Sequence, residues 1–333
     1  MNGDENLADR FGEIFSVRVA RAHGIGHGRL RGHDLQAPFH GVRAQSNAVE
    51  PAAVAIAGIE NPYERQRRFR IERARTYAAR LHTGHFFSHQ TAASIWGAPL
   101  PIEFTESGAL AEGDALALHV SVLGYLPFPR ASGIVGHRTY SSLTTVTEHI
   151  GLRVASPATT WVSLGGLSVH DLVALGDFFC REWREGYGRP DAGRAPLATR
   201  ADLEAALEAG RRYGAARLRE ALSLIREDSW SPRESLVRCI LLEAHLPEPE
   251  LNVDVFDSGG RFLGCVDMAY PDQRVAVEYL GMLHGEQWAA DVERLAALRA
   301  AGWTVVEITS PLLKRPEELV RRVADALAHP IFV

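Results

Sequence analysis

Two apolar runs, each interrupted by a single acid, flank one break in FLGCVDMAYPDQRVAVEY, Phe262 to Tyr279. The break, Pro271-Asp272-Gln273-Arg274, is a turn signal between two β-branched runs, so the stretch predicts a β-hairpin. Centring the turn between Asp272 and Gln273 sets Met268 against Val277, Asp267 against Glu278 and Val266 against Tyr279. Side chains alternate in direction along a strand, so Val266, Met268, Tyr270, Val275, Val277 and Tyr279 share one apolar face. Asp267 and Glu278 share the other, among small residues such as Ala269 and Ala276. Upstream, SPRESLVRCILLEAHLP has the pattern of a helix opened by Ser231, with Pro232 at its first position and Glu234 three residues after the cap. A strand is predicted over Leu251–Phe256 and a turn over Asp257–Gly260. Downstream, Trp288, Val292 and Leu295 recur at helical spacing over 287–301, Gly302 stops that helix, and a strand over 303–309 and a helix over 316–328 follow. The order is α-β-β-β-α-β-α, which suits a mixed sheet with helices on both faces.

Like charges directly across a strand pair repel, and desolvation adds to the cost. A divalent cation between Asp267 and Glu278 relieves both, and hard cations such as Mg²⁺ or Mn²⁺ select carboxylate oxygens. The helix Glu, strand Asp and Glu-Tyr-Leu-Gly pattern resembles the PD-(D/E)XK nucleases, and within them the small domains related to the very-short-patch-repair endonuclease. The similarity rests on Glu234, Asp267, Glu278, Gly281, His284, Asp291, Arg294, Leu298, Gly302 and Trp303. It implies a restriction-endonuclease-like core over 229–333, with Glu234, Asp267, Glu278 and His284 as catalytic candidates and Asp267 and Glu278 as metal ligands. One departure stands out. The family expects an acid or Lys two residues after the strand Glu, and here that position is Leu280, which points to a weakened or inactive centre. Glu234 fits a capping box with Ser231 as well as a metal site. Asp291 and Arg294, three apart, read first as a helix-surface ion pair.

The N-terminal stretch Phe15–Ala44 predicts a helix capped by Ser16 with Val19 and Ala22 inward, a glycine-bearing turn, a short helix over 27–32 and a strand-like wing over 39–43. It resembles the winged-helix segment of AbiEi-type antitoxins of type IV toxin–antitoxin systems. That resemblance makes Arg18, Arg21, Arg29, Arg31 and Arg43 candidate DNA contacts. Residues 47–61 form a small-residue linker. Tyr63–Arg80, with seven arginines against two glutamates, predicts a helix whose bland reading is a solvated face. Strands are expected near 116–123, 133–140 and 149–155, with helices capped at Ser88, Ser156 and Ser168. His82, His85 and His89 have ligand-like spacing, but no acid or cysteine completes the set, so they read as structural or surface residues. The phrases SHQTAASIWG, SPATTWVSL and DLVALGD are also similar to the central part of AbiEi-like proteins with a nuclease-like C-terminus.

The expected organisation is therefore mixed α/β: a winged-helix-like segment over 1–46, an α+β middle domain over 47–228, and the nuclease-like domain over 229–333. At 333 residues, 46 % hydrophobic and 23 % charged, the composition is that of an ordinary globular chain. No apolar run approaches the ~20 residues of a membrane span, and the N-terminus lacks a signal-peptide pattern, so a cytoplasmic protein with no membrane partner is expected. Cys180, Cys239 and Cys265 are isolated, without zinc or disulfide spacing. Residues 229–333 hold 16 acids and 10 bases, a net of −6 within the chain's −5, so this module lacks the basic footprint of a nonspecific DNA clamp. Two function classes remain. One is a metal-dependent endonuclease. The other is a noncatalytic, antitoxin-like DNA-binding regulator in a toxin-operon or phage-defence setting that keeps the nuclease fold as scaffold.

Overall fold

The computed structural model describes residues 7–46, 61–187, 189, 191–281 and 286–329. The protein is mixed α/β, as its patterning predicts. It divides into two units, one of residues 1–164 and 205–213, the other of 165–204 and 214–333.

The first unit opens with α1 (Leu7–Phe11), β1 (Ile14–Ser16), α2 (Val17–Ala22), β2 (Leu35–Gln36) and β3 (Val42–Gln45), the strands pairing in the order β1-β3-β2. The expected first helix and the turn after it are present, but Ser16 makes no side-chain cap bond, the second helix is only a 3₁₀ turn, Arg29–Arg31, and the strand expected over 39–43 begins at Val42. The inward residue of α2 is Ala20, packed with Leu7, Phe15 and Leu30, whereas Val19 is exposed. The reason is length: over six residues only one turn faces inward, and Ala20 holds that position. The linker 47–60 lies outside the described residues. Next come α3 (Pro62–Ala78), β4 (His85–Phe87), α4 (His89–Trp96), β5 (Leu118–Leu123), β6 (Ile134–Thr139), β7 (Val146–His149), β8 (Leu152–Ala155) and α5 (Pro157–Ser163). The strands form a sheet in the order β6-β5-β4-β8-β7. Helices α3 and α4 cover it with Ala74, Tyr77, Ala92 and Ile95 against Phe87, Val120 and Val154. The arginines of α3 are only partly a solvated face: Arg65 and Arg75 are exposed, while Arg70 and Arg73 turn inward. Arg70 is buried against Glu103 at 2.6 Å, Arg73 donates to the Gly113 carbonyl, and Arg65 pairs with Glu112.

Helix α7 (Arg200–Glu208) falls across the division between the units. The second unit adds α6 (Val169–Cys180), α8 (Ala215–Leu224), α9 (Pro232–Glu243), β9 (Glu250–Phe256), β10 (Phe262–Tyr270), β11 (Val275–Leu280), α10 (Glu286–Ala300), β12 (Thr304–Thr309), α11 (Ser310–Leu313) and α12 (Pro316–Ala328). The sheet order is β12-β11-β10-β9, antiparallel except for the parallel β11–β12 pair. The connection between those parallel neighbours contains α10. Met268 pairs with Val277 and Tyr270 with Val275, the register set by the turn. Two cores sandwich the sheet. Met268, Tyr270, Val275 and Val277 pack with Val237, Leu241, Leu319 and Val323 of α9 and α12. Ala269 and Ala276 pack with Leu295 and Leu298 of α10. Val266 belongs to this second core, not to the face of Met268 where strict alternation places it. Its neighbours explain the reversal. Asn252 takes a left-handed φ of 50°, and Leu251 and Val253 on either side of it pack into different cores. Val292, an expected inward residue of α10, is exposed, because the apolar stripe runs instead through Leu295 and Leu298.

Segments 165–204 and 214–228, placed by the sequence reading in a middle domain, lie in the unit of the four-stranded sheet. Helix α6 lies against α9, and a fully buried ion pair joins them. Arg238 reaches Asp177 at 3.2 Å, and Asp177 also accepts from Ser235 Oγ at 2.7 Å and the Arg226 N–H at 2.8 Å.

Candidate carboxylate site

Three carboxylates meet where α9 faces the β9–β11 strands. Glu234 sits in the first turn of α9, where Ser231 caps the helix by accepting from the Glu234 N–H at 3.2 Å. The Glu234 side chain turns back and accepts from the Trp230 N–H at 2.9 Å, completing a capping box. The same oxygen accepts from Asn252 Nδ2 at 3.0 Å. The capping-box reading of Glu234 is realised, and its charge also acts on Asp267 and Glu278.

Asp267 and Glu278 are brought together as the hairpin register requires. The ladder between β10 and β11 ends at Met268–Val277, and Asp267 accepts the Tyr279 N–H at 2.8 Å with its side chain. Asp267 keeps some exposure, while Glu278 is buried at 2 %. Desolvation, then the charges of Glu278 and Glu234, push the Asp267 carboxyl well above its ordinary range, outweighing the Tyr279 N–H and Arg294. Of the two strand acids, Asp267 is the one pushed furthest toward its neutral form.

Arg294 supplies the cation. Its guanidinium forks onto Glu278 at 2.7 and 3.2 Å, donates to the Cys265 carbonyl at 3.2 Å, and touches Asp291 at 3.3 Å. Burial alone lowers the Arg294 pKa, but the hydrogen bonds and charge of Glu278, with Asp291 and Asp267, outweigh it and raise it. The i, i+3 pair of Asp291 and Arg294 is therefore the outer end of a chain of charges that begins at Glu278. Gly264 makes room for it: a Cβ there would lie 2.7 Å from Arg294 Cδ. The signal for this role was present in the sequence only as a glycine in a strand and an arginine on a helix.

The set is a poor cage for a hard cation. Both Glu278 oxygens face Arg294, and Leu280, in the third position, packs in the apolar core beneath α10. Among the described residues, the group of three possible ligands gathered within 4.8 Å is His89, His119 and His137, in the other unit, and not these acids. His284 lies outside the described residues. Beside the carboxylates, Arg189 is buried against Asp254 and donates to the Asn252 carbonyl at 3.1 Å; neither residue was singled out from sequence.

The N-terminal candidates separate into two groups. Arg29 is forked onto Asp34 at 2.8 and 2.9 Å, and Arg43 donates to the carbonyls of Leu30 and Val42 at 2.6 and 2.8 Å. Arg18, Arg21 and Arg31 are exposed.

Fold and site together define a mixed α/β protein with a buried carboxylate cluster in which Glu278 is paired with Arg294. Two uncharacterized proteins of Mycobacterium tuberculosis, MT2308 and Rv2248, are similar to it, each 33 % identical over 143 residues, which is 40 % of this chain and 51 % of theirs. The chain thus spans about half the length of the curated relatives it matches. No family model and no solved structure matches it. Among the described residues, no helix is long and apolar enough to cross a membrane.

Proposed function

We propose that this is a DNA-binding regulator of the antitoxin-like kind, whose C-terminal module keeps the architecture of an endonuclease without its turnover. The fork of Arg294 on Glu278 carries this reading. A guanidinium delivers the positive charge that a nuclease takes from Mg²⁺ or Mn²⁺, but it has no open coordination position on which to activate water. Leu280 works in the same direction by removing a polar group from the third position. Contact with DNA then falls to Arg18, Arg21 and Arg31, which are exposed around the short N-terminal helix.

A second reading, a slow cation-dependent endonuclease, is favoured by one observation. Burial and two acidic neighbours push the Asp267 carboxyl above its ordinary range, a cost that a bound cation would relieve. In that case Asp267 and Glu278 supply the ligands, Glu234 assists from α9, and the cation supplies Lewis-acid activation of water.

One experiment decides between them. Wild type, Asp267→Asn and Glu278→Gln are incubated with supercoiled plasmid and single-stranded DNA in Mg²⁺ or Mn²⁺. In parallel, duplex binding is followed by anisotropy for wild type and the triple variant Arg18→Ala/Arg21→Ala/Arg31→Ala. The regulator reading expects no nicking, with duplex affinity and its salt dependence both reduced in the triple variant. Cation-dependent nicking that disappears in Asp267→Asn establishes the enzyme instead.

A further inference from the structure

Three histidines from separate elements converge in the first unit, away from the carboxylates. His89 is the first residue of α4, directly after β4; His119 lies on β5 and His137 on β6. The parallel β5–β6 register pairs Ser121 with His137, so His119 and His137 are diagonal neighbours. His119 Nδ1 and His137 Nε2 are 2.9 Å apart. The His89 ring stacks on His137 with centroids 3.7 Å apart, and ligand nitrogens of all three lie within 4.8 Å of one another.

We propose that this cluster is a binding site for one borderline divalent transition cation, Zn²⁺ in the first instance, held by His89, His119 and His137. Zinc takes imidazole nitrogens at 2.0–2.1 Å in tetrahedral geometry, which sets neighbouring ligand atoms about 3.3 Å apart. The observed spacings bracket that value, so ring rotations of small amplitude complete the site.

Three further features support it. First, all three side chains are imidazoles drawn from separate elements, and an imidazole nitrogen lone pair is the ligand a borderline cation takes. Second, among the described residues none of the three has a carboxylate partner, so burial of this many imidazoles lacks the usual ionic explanation. The nearby Arg70 charge is offset by Glu103 at 2.6 Å. Third, His89 is already oriented from behind. Its Nδ1 is 3.0 Å from Ser88 Oγ, which accepts from Ser121 Oγ at 2.7 Å, leaving Nε2 as the ligand atom. Such outer hydrogen bonds fix ring orientation at metal sites. His89 also holds a left-handed φ of 51°, a conformation that costs free energy and aims its side chain at the two strands.

Three protein ligands leave a fourth position for water or an exogenous group. The cation pins the β4–α4 junction to β5 and β6. It would bind regardless of whether the carboxylate module cleaves DNA.

The test uses the full chain, stripped with chelator and titrated with Zn²⁺ by calorimetry, with Co²⁺ as a spectroscopic probe. The expected result is one Zn²⁺ per chain, a rise in Tm, and an intense tetrahedral Co²⁺ band displaced by Zn²⁺. His119→Gln and His137→Gln are expected to weaken binding by more than about 100-fold, while Asp267→Asn/Glu278→Gln retains it. Absence of stoichiometric Zn²⁺ binding by wild type overturns the proposal. So does a weak octahedral Co²⁺ spectrum, a readout that needs no histidine variant to fold. Undiminished binding by a folded His137→Gln variant overturns it as well.

Discussion

Asp267 and Glu278 differ by one contact. The guanidinium of Arg294 lies on Glu278, and Asp267 is left with a backbone N–H and two acidic neighbours. Folded Asp267 therefore keeps its proton to higher pH than the unfolded residue, whose ordinary value is 3.8. Its stabilising contribution is complete below that value and is lost as pH rises through the folded value. Asp267→Asn stays neutral and still accepts from Tyr279, so it is expected to remove this slope and to exceed wild type by about 1–2 kcal/mol at pH 8. Urea unfolding over a pH series checks this, and parallel slopes for the two proteins would show that Asp267 ionises alike in both states. At this scale the sequence carried Asp267, Glu278 and the Asp291–Arg294 pair, but not the fork of Arg294 on Glu278, which is set by packing of α10 on the sheet and not by local spacing.

Helix α9 owes its start to local chemistry and its position to remote residues. Ser231, Pro232 and Glu234 form the cap that their order predicts, and Ser156 and Ser168 likewise cap α5 and α6 by accepting from Thr159 and Asp171. Asp177 and Arg238 had no sequence signal, because their partnership spans 61 residues and arises only when α6 lies on α9. Desolvation raises the Asp177 pKa, opposed by Arg238, Arg226 and Ser235. Arg238→Met strands that carboxylate in the core and is expected to cost about 3–5 kcal/mol in denaturant unfolding. The double variant Asp177→Leu/Arg238→Met is expected to recover most of the loss, since it removes both charges. A double variant as unstable as Arg238→Met would place the cost in packing instead.

For the molecule as a whole, the limits of the units differ from those suggested by composition. A fragment of residues 229–333 contains all of the predicted α-β-β-β-α-β-α order, yet it leaves α9 without α6 and Arg238 without Asp177. Residues 165–333 supply both. The shorter fragment is expected to unfold without a cooperative transition and the longer one with a single transition, measured by circular dichroism on heating. Cooperative unfolding of 229–333 alone would show that the sheet and its own helices bury enough surface to stand without α6 and α8.

The sequence by itself determined the elements of the four-stranded module, the hairpin register and the caps at Ser156, Ser168 and Ser231, because these depend on periodicity, turn residues and contacts within a few positions; Ser16 and Ser88 stand at helix starts without a side-chain cap bond. It also determined that the two strand acids share one level of the sheet. Only the tertiary structure decided which charge answers them. It set Arg294 on Glu278, joined Asp177 to Arg238, and drew His89 to His119 and His137 rather than to His82 and His85. Each of these partnerships links elements distant in sequence, and the partner is selected by which faces pack together, a choice that no short pattern encodes.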